Sequence, residues 1–91
     1  MQIIVDTREP QYIIEKLEAL GVTVTKEQLS VGDYILGTDY VVERKTKSDF
    51  EQSIYDNRLI DQAQRMINEF ENVAIIYETD DSTAILLERI Q

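Results

Sequence analysis

The sequence contains no cysteine and no histidine. The first absence excludes disulfides and thiolate metal sites. The two together leave carboxylates and backbone oxygens as the ligands for any catalytic metal, which favours Mg²⁺ or Mn²⁺ over Zn²⁺. No apolar run approaches the ~20 residues that a membrane span needs, and the N-terminus lacks the basic and apolar regions of a signal peptide. A cytoplasmic setting is expected, or a nuclear one for a eukaryotic source, with no membrane partner. Positive charge is also scarce: nine Lys and Arg stand against 18 Asp and Glu, a net charge of −9. That balance opposes simple electrostatic binding to nucleic acid, whose affinity comes largely from cations on phosphates. A protein that acts on DNA with this charge must cluster its basic groups at one site or take its grip from another domain or subunit.

What is present suits one small folded domain. The chain has 91 residues, of which 43% are hydrophobic and 30% charged. A domain of this size buries only roughly 60–65% of the surface of its unfolded chain, so a partner that covers apolar surface would help it. No repeat, low-complexity segment or linker is visible. Gln2–Asp6 reads as a buried strand. Pro10 opens a helix on which Ile13, Ile14, Leu17 and Leu20 recur at helical spacing, with Gly21 as its stop. Val22 and Val24 alternate with Thr23 and Thr25 as a second strand. Asp33–Leu36 and Tyr40–Lys45 read as a hairpin around the loop Gly37-Thr38-Asp39. Ser48 and Glu51 fit a capping box for the next helix, and Asp56-Asn57-Arg58 interrupts it. A further helix carries Leu59, Ala63, Met66, Ile67 and Phe70 on one face, and Val73–Tyr77 is a buried strand. The tail from Ser82 to Ile90 reads as a helix capped by Asp81 or Ser82, with a strand as the alternative. The order predicts a mixed α/β domain with helices on both faces of its sheet.

The hairpin is where the sequence becomes specific. If Leu36 pairs with Tyr40, then Ile35 faces Val41, Tyr34 faces Val42 and Asp33 faces Glu43. Side chains opposite each other share a face, with Cβ atoms ~5 Å apart. Two carboxylates so placed repel, unless a cation sits between them or one takes a proton. Strand alternation adds Lys45 to the face of Glu43 and turns Arg44 away. Two acids and an amine around a divalent ion suit phosphodiester hydrolysis: the metal activates water, and the amine stabilises charge on phosphorus. A slip of one residue would scatter the set.

The wider pattern is more specific still. Gly32-Asp33, Glu43-Arg44-Lys45 and Asp49 spell GD…ERKxxxD. Val5-Asp6-Thr7-Arg8-Glu9 precedes it, and Ser48-Asp49-Phe50, Ser53-Ile54, Asp56-Asn57-Arg58-Leu59 and Gln62 follow. From about Ile3 to about Glu78 the chain resembles the XPF-type (ERCC4 domain) structure-specific endonucleases of the PD-(D/E)XK nuclease superfamily. The resemblance implies a restriction-endonuclease-like α/β fold, with a mixed central sheet flanked by helices. It implies that Asp33 and Glu43 are metal ligands, with the Arg44 carbonyl as a third oxygen and Asp6 assisting, and that Lys45 is the catalytic lysine. Arg44, Asp49 and Asp6 would belong to the catalytic set, Glu9 would lie beside it, and Arg8, Arg58 and Lys47 would contact DNA.

Simpler roles compete for the same residues. Asp33 can be a turn acid, Glu43 and Lys45 exposed strand charges, Asp6 or Glu9 a helix cap, and Asp49 a first-turn acid on a helix dipole. Family members usually carry more sequence after the strand at Ile75, and many have a tandem helix-hairpin-helix module. The expectation here is a single nuclease domain over residues 1–91 without that module. The family's nuclease domains pair, which predicts a homodimer or a heterodimer with a related subunit. The resulting expectation is a Mg²⁺- or Mn²⁺-dependent DNA endonuclease acting near branches, flaps or forks in repair or recombination. The competing one is a catalytically silent subunit of the same family that binds DNA or a partner.

Overall fold

The computed structural model describes residues 1–80 and 82–90. The elements are β1 (Gln2–Asp6), α1 (Gln11–Ala19), β2 (Thr23–Glu27), β3 (Tyr34–Leu36), β4 (Tyr40–Thr46), α2 (Lys47–Tyr55), α3 (Arg58–Glu69), β5 (Asn72–Glu78) and β6 (Thr83–Arg89). The six strands form one mixed sheet in the order β2-β1-β3-β4-β5-β6. β1 pairs with β2 and β4 with β5 in parallel, while the β1–β3, β3–β4 and β5–β6 pairings are antiparallel.

The alternation of side chains along β3 and β4 divides the interior in two. Ile35 and Val41 join Val73, Ile75, Ala63 and Met66 in a core under α3. Tyr34, Leu36 and Val42 join Ile3, Val5 and Ile14 in a second core under α1. Helices therefore cover both faces of the sheet, as the element order predicts.

Three local expectations are corrected. Pro10 stands just before α1 with φ −61° and ψ 137°, so the helix starts one residue later, at Gln11. The cap of α2 is Thr46, whose side chain accepts the Asp49 N–H at 3.3 Å, rather than Ser48. The hydroxyl of Thr46 ends β4 and begins α2 in one residue, which aligns the helix with the strand that carries Lys45. The tail is a strand and not a helix. β5 presents an open edge, and its polar backbone groups recruit the tail as β6, with Ile76 paired to Ile85 and Glu78 to Thr83. Thr79 and Ser82 bond across the reversal, where Thr79 N–H meets Ser82 O at 2.9 Å. The proposed Asp81 cap lies outside the described residues. Among the described residues no helix is long and apolar enough to cross a membrane.

Candidate active site

The hairpin register matches the sequence reading: Leu36 pairs with Tyr40, Ile35 with Val41 and Tyr34 with Val42. Gly37 turns the loop with φ +68°, a conformation that glycine adopts without steric cost. Asp33, expected as the first strand residue, stands just outside β3. Its N–H donates to Val42 O at 2.8 Å, and its carbonyl accepts the Asp6 N–H at 2.8 Å. Gly32 makes this path feasible. Its φ is +75°, and a Cβ there would stand 2.2 Å from Val41 Cγ2. The backbone thus presses directly onto β4, which brings the Asp33 carboxyl to Glu43.

Asp33 Oδ2 accepts the Arg44 N–H at 2.8 Å, and the Asp33 and Glu43 carboxyls stand next to each other. Lys45 Nζ lies 4.0 Å from Glu43 Oε2. Burial and then the adjacent Asp33 charge push Glu43 up to about 7. Burial pushes Asp33 up to about 6, although the Arg44 amide works against it. Partial burial disfavours the charged form of each carboxyl, and neighbouring acids add to the effect. Lys45 is only 5% exposed. Its Nζ donates to Ser53 Oγ at 3.1 Å, and the fully buried Ser53 hydroxyl donates to the Asp49 carbonyl at 2.7 Å. α2 therefore fixes the amine through a serine that the sequence reading placed only within a motif.

A cavity of about 320 Å³ opens on the acid pair, lined by Asp6, Arg8, Asp33, Glu43, Gln62 and Arg65 among others. Asp6 is buried and its oxygens are already engaged. Arg8 Nε meets Oδ2 at 2.8 Å, Arg8 Nη2 meets Oδ1 at 3.0 Å, and the Leu29 N–H meets Oδ1 at 2.8 Å. The Arg8 side-chain bonds, joined by backbone donors, hold its pKa down to about 2 despite burial. Asp6 serves here as the anchor of Arg8, and this departs from its expected share in metal binding. Among the described residues no group of three or more acidic side chains is gathered closely enough to hold a metal ion. The acid pair is the cluster that the fold brings together.

The remaining expected residues divide. The Arg44 side chain belongs to the other face, as alternation requires. It reaches Glu9 Oε1 at 2.8 Å through Nε and Glu78 Oε1 at 2.8 Å through Nη1. Glu9 also accepts the Tyr34 hydroxyl. The guanidinium is thus held by two acids away from the Asp33–Glu43 pair. The Arg44 backbone, however, stays with the acid pair through its N–H bond to Asp33. The Asp49 side chain is exposed and does not line the cavity; its carbonyl makes the link to Ser53. Arg58 is half-exposed and pairs with Asp56 at 3.3 Å. Lys47 lines a separate groove with Tyr77 and Thr79. Neither joins the cavity. The cations that do are Arg8, whose side chain is 67% exposed, and Arg65, whose Nη2 donates to Ser30 O at 2.9 Å. Arg65 and Gln62 escaped the sequence reading as site residues. They lie on the border of the apolar stripe of α3, beside Met66, where polar residues usually mark only the helix edge.

Comparisons with known proteins speak to family and fold. The ERCC4 domain matches residues 5–89. The chain is 37% identical over 81 residues to the 3′-flap repair endonuclease Xpf of Saccharolobus solfataricus, covering 88% of this chain and 35% of that protein. The structure of XPF from Aeropyrum pernix superposes with a TM-score of 0.79 at 44% identity, covering 85% of this chain and 39% of the other. The same protein in complex with DNA gives a TM-score of 0.76 at 44% identity, with coverages of 84% and 38%. The chain thus spans between a third and two-fifths of the length of these relatives. A shared fold and a family match over residues 5–89 place this chain in the ERCC4 domain family of XPF-type endonucleases.

Proposed function

We propose that this chain is a divalent-metal-dependent endonuclease domain that hydrolyses phosphodiester bonds in DNA near a branch, flap or fork. The observation that carries the reading is the half-buried pair Asp33–Glu43 with Lys45 Nζ 4.0 Å from Glu43 Oε2 on the same strand face. Two carboxyls and the neighbouring Arg44 carbonyl form an all-oxygen donor set, which fits Mg²⁺ or Mn²⁺ with water completing the shell. When bound, such an ion supplies Lewis acidity to the phosphoryl oxygens and favours ionisation of water. Asp33 and Glu43 would hold it. The ionised member of the pair accepts the proton of the attacking water as the water oxygen bonds to phosphorus. The opposite ester P–O bond breaks, and the departing oxygen takes a proton from solvent. Lys45, held by Ser53, faces the charge that grows on the phosphate. Arg8, fixed by Asp6, and Arg65 provide cations at the cavity for the flanking backbone. They supply locally what the net charge denies globally.

The apolar residues Ile85, Leu86, Leu87 and Ile90 remain exposed along and just beyond β6. We read the chain as one that pairs, with itself or with a related subunit. A light-scattering mass of twice the chain supports self-pairing, and a monomer mass removes it.

Labelled fork and flap DNA with Mn²⁺ tests the activity. The chain is expected to nick one strand, and Lys45→Ala is expected to cut roughly 10²- to 10³-fold more slowly. Equal cutting by both proteins would remove Lys45 from the mechanism. No cutting by either, with or without a partner, would favour the silent subunit.

A further inference from the structure

We propose that Ser53 is a positioning residue for cleavage, which aims the Lys45 amine through a hydroxyl that can only accept. This rests on the nuclease reading and adds to it how the amine is held without losing its charge. Lys45 Nζ donates to Ser53 Oγ at 3.1 Å, and Ser53 Oγ donates to the Asp49 carbonyl at 2.7 Å. A hydroxyl has one proton. With that proton given to Asp49, the oxygen offers Lys45 its lone pairs alone. The Asp49 backbone is itself fixed on both sides, since its N–H donates to Thr46 Oγ1 at 3.3 Å. The next residue, Phe50, meets Tyr77 edge to face with 5.1 Å between ring centroids. Tyr77 is the register partner of Lys45 on β5. α2 is thus tied to the sheet through Thr46, Phe50 and Ser53, all around one amine.

Packing alone does not require this pair. Lys45 and Ser53 are both buried, and apolar side chains of similar size would fill the same space without desolvating a charge. A carboxylate at position 53 would neutralise the amine. A serine holds it and leaves the charge in place. Glu43 Oε2, at 4.0 Å, is beyond hydrogen-bond length. A lysine amine has three protons, so Ser53 takes one and leaves the others for a phosphate oxygen. The lysine stem is four carbons long and flexible. Fixing it before the substrate arrives removes an ordering cost from the reaction step. Ser53 also stands on a helix and not on a loop, so its position is set by the packing of α2 on the sheet.

Ser53→Ala removes the acceptor, and Ser53→Cys keeps the size of the side chain with a weaker one. On flap DNA with Mn²⁺, kcat of Ser53→Ala is expected to fall roughly ten- to a hundredfold, with KM within about twofold. In a Lys45→Ala background the same change is expected to alter the residual rate by less than about twofold, because the group it acts through is gone. An equal fall in both backgrounds would make Ser53 a folding residue and overturns the proposal. Should Ser53→Ala not fold, Ser53→Cys in the two backgrounds decides by the same comparison. A second readout needs neither metal nor DNA. In proton–nitrogen NMR of the metal-free parent, the Lys45 Nζ protons are expected to exchange slowly enough to be seen, and to vanish in Ser53→Ala. A signal absent from the parent, or one that survives in the variant, overturns the proposal and leaves the nuclease reading intact. A parent that shows this signal and cuts nothing overturns the nuclease reading, and the catalytic purpose of the tether with it.

Discussion

β4 carries two charge clusters, one on each face, and they have opposite characters. On the α1 face Arg44 lies between Glu9 and Glu78, and Glu9 also takes the Tyr34 hydroxyl. Burial there would lower the Arg44 pKa, but its bond to Glu9 and the surrounding negative groups raise it. Burial and the bond to Glu9 likewise raise Tyr34. Each charge has a partner of the opposite sign. On the cavity face, Asp33 and Glu43 lie side by side, and burial together with neighbouring acids raises both. The two clusters are separated by one peptide plane, since Asp33 bonds the backbone of Arg44 itself. A satisfied cluster holds strands together; an unsatisfied one at the mouth of a cavity is a place for a cation and a reacting group. The contrast divides the ERK sequence by surroundings: Glu43 and Lys45 share the face of Asp33, and Arg44 lies between Glu9 and Glu78 on the other.

The largest expected effect breaks the satisfied side. Arg44→Met leaves Glu9 and Glu78 without their cation and is expected to destabilise the fold by about 3–5 kcal/mol in urea titrations. A loss below about 1 kcal/mol would show that the two acids are solvated without it. Glu43→Gln on the other face is expected to act in the opposite direction. At pH 8 it removes a charge that the fold resists, and it should raise stability by about 1–3 kcal/mol while abolishing cleavage. Destabilisation by this substitution would mean that Glu43 is not strained.

A pH series sharpens the same point. Folded Asp33 and Glu43 titrate at about 6 and about 7, above their unfolded values of 3.8 and 4.5. Between these limits the folded state binds more protons than the unfolded one, so stability falls as pH rises from about 4 to about 7. Mn²⁺ is expected to raise the melting temperature most at the upper end of that window, where the carboxylates are free to bind it. A metal effect that is equal at pH 5 and pH 8 would separate binding from this pair. The smallest effect tests the frame again. Tyr34→Phe deletes one hydroxyl bonded to Glu9 and is expected to cost about 1 kcal/mol, with slower cleavage only in proportion to the folded fraction.

The hairpin was legible because its loop is short and marked by Gly37, and because alternation admits one register that buries Val41 and faces Arg44 away from Glu43. The tail was not. Ala84-Ile85-Leu86-Leu87 carries a run that satisfies a helix stripe or a strand equally. Only the free edge of β5 decides for the strand. Thr46 and Ser48 are both good caps, and the choice depends on where β4 ends. Asp6, Arg8 and Glu9 sit together in the sequence yet part company in space. Asp6 and Arg8 pair at the cavity, and Glu9 lines it too, but the Glu9 carboxylate is bonded to Arg44 and Tyr34.

Local rules on the sequence alone determined that two acids and a lysine would share one strand face, since the period of a strand is two and the loop length sets the pairing. Residues far apart in the chain obey no such period. That Gln62 and Arg65 reach the cavity of Asp33, that Ser53 fixes Lys45 and that Glu9 locks Arg44 was decided by the docking of α2, α3 and the β1–α1 turn on the sheet. These contacts are set by packing in three dimensions, where sequence separation carries no information about distance.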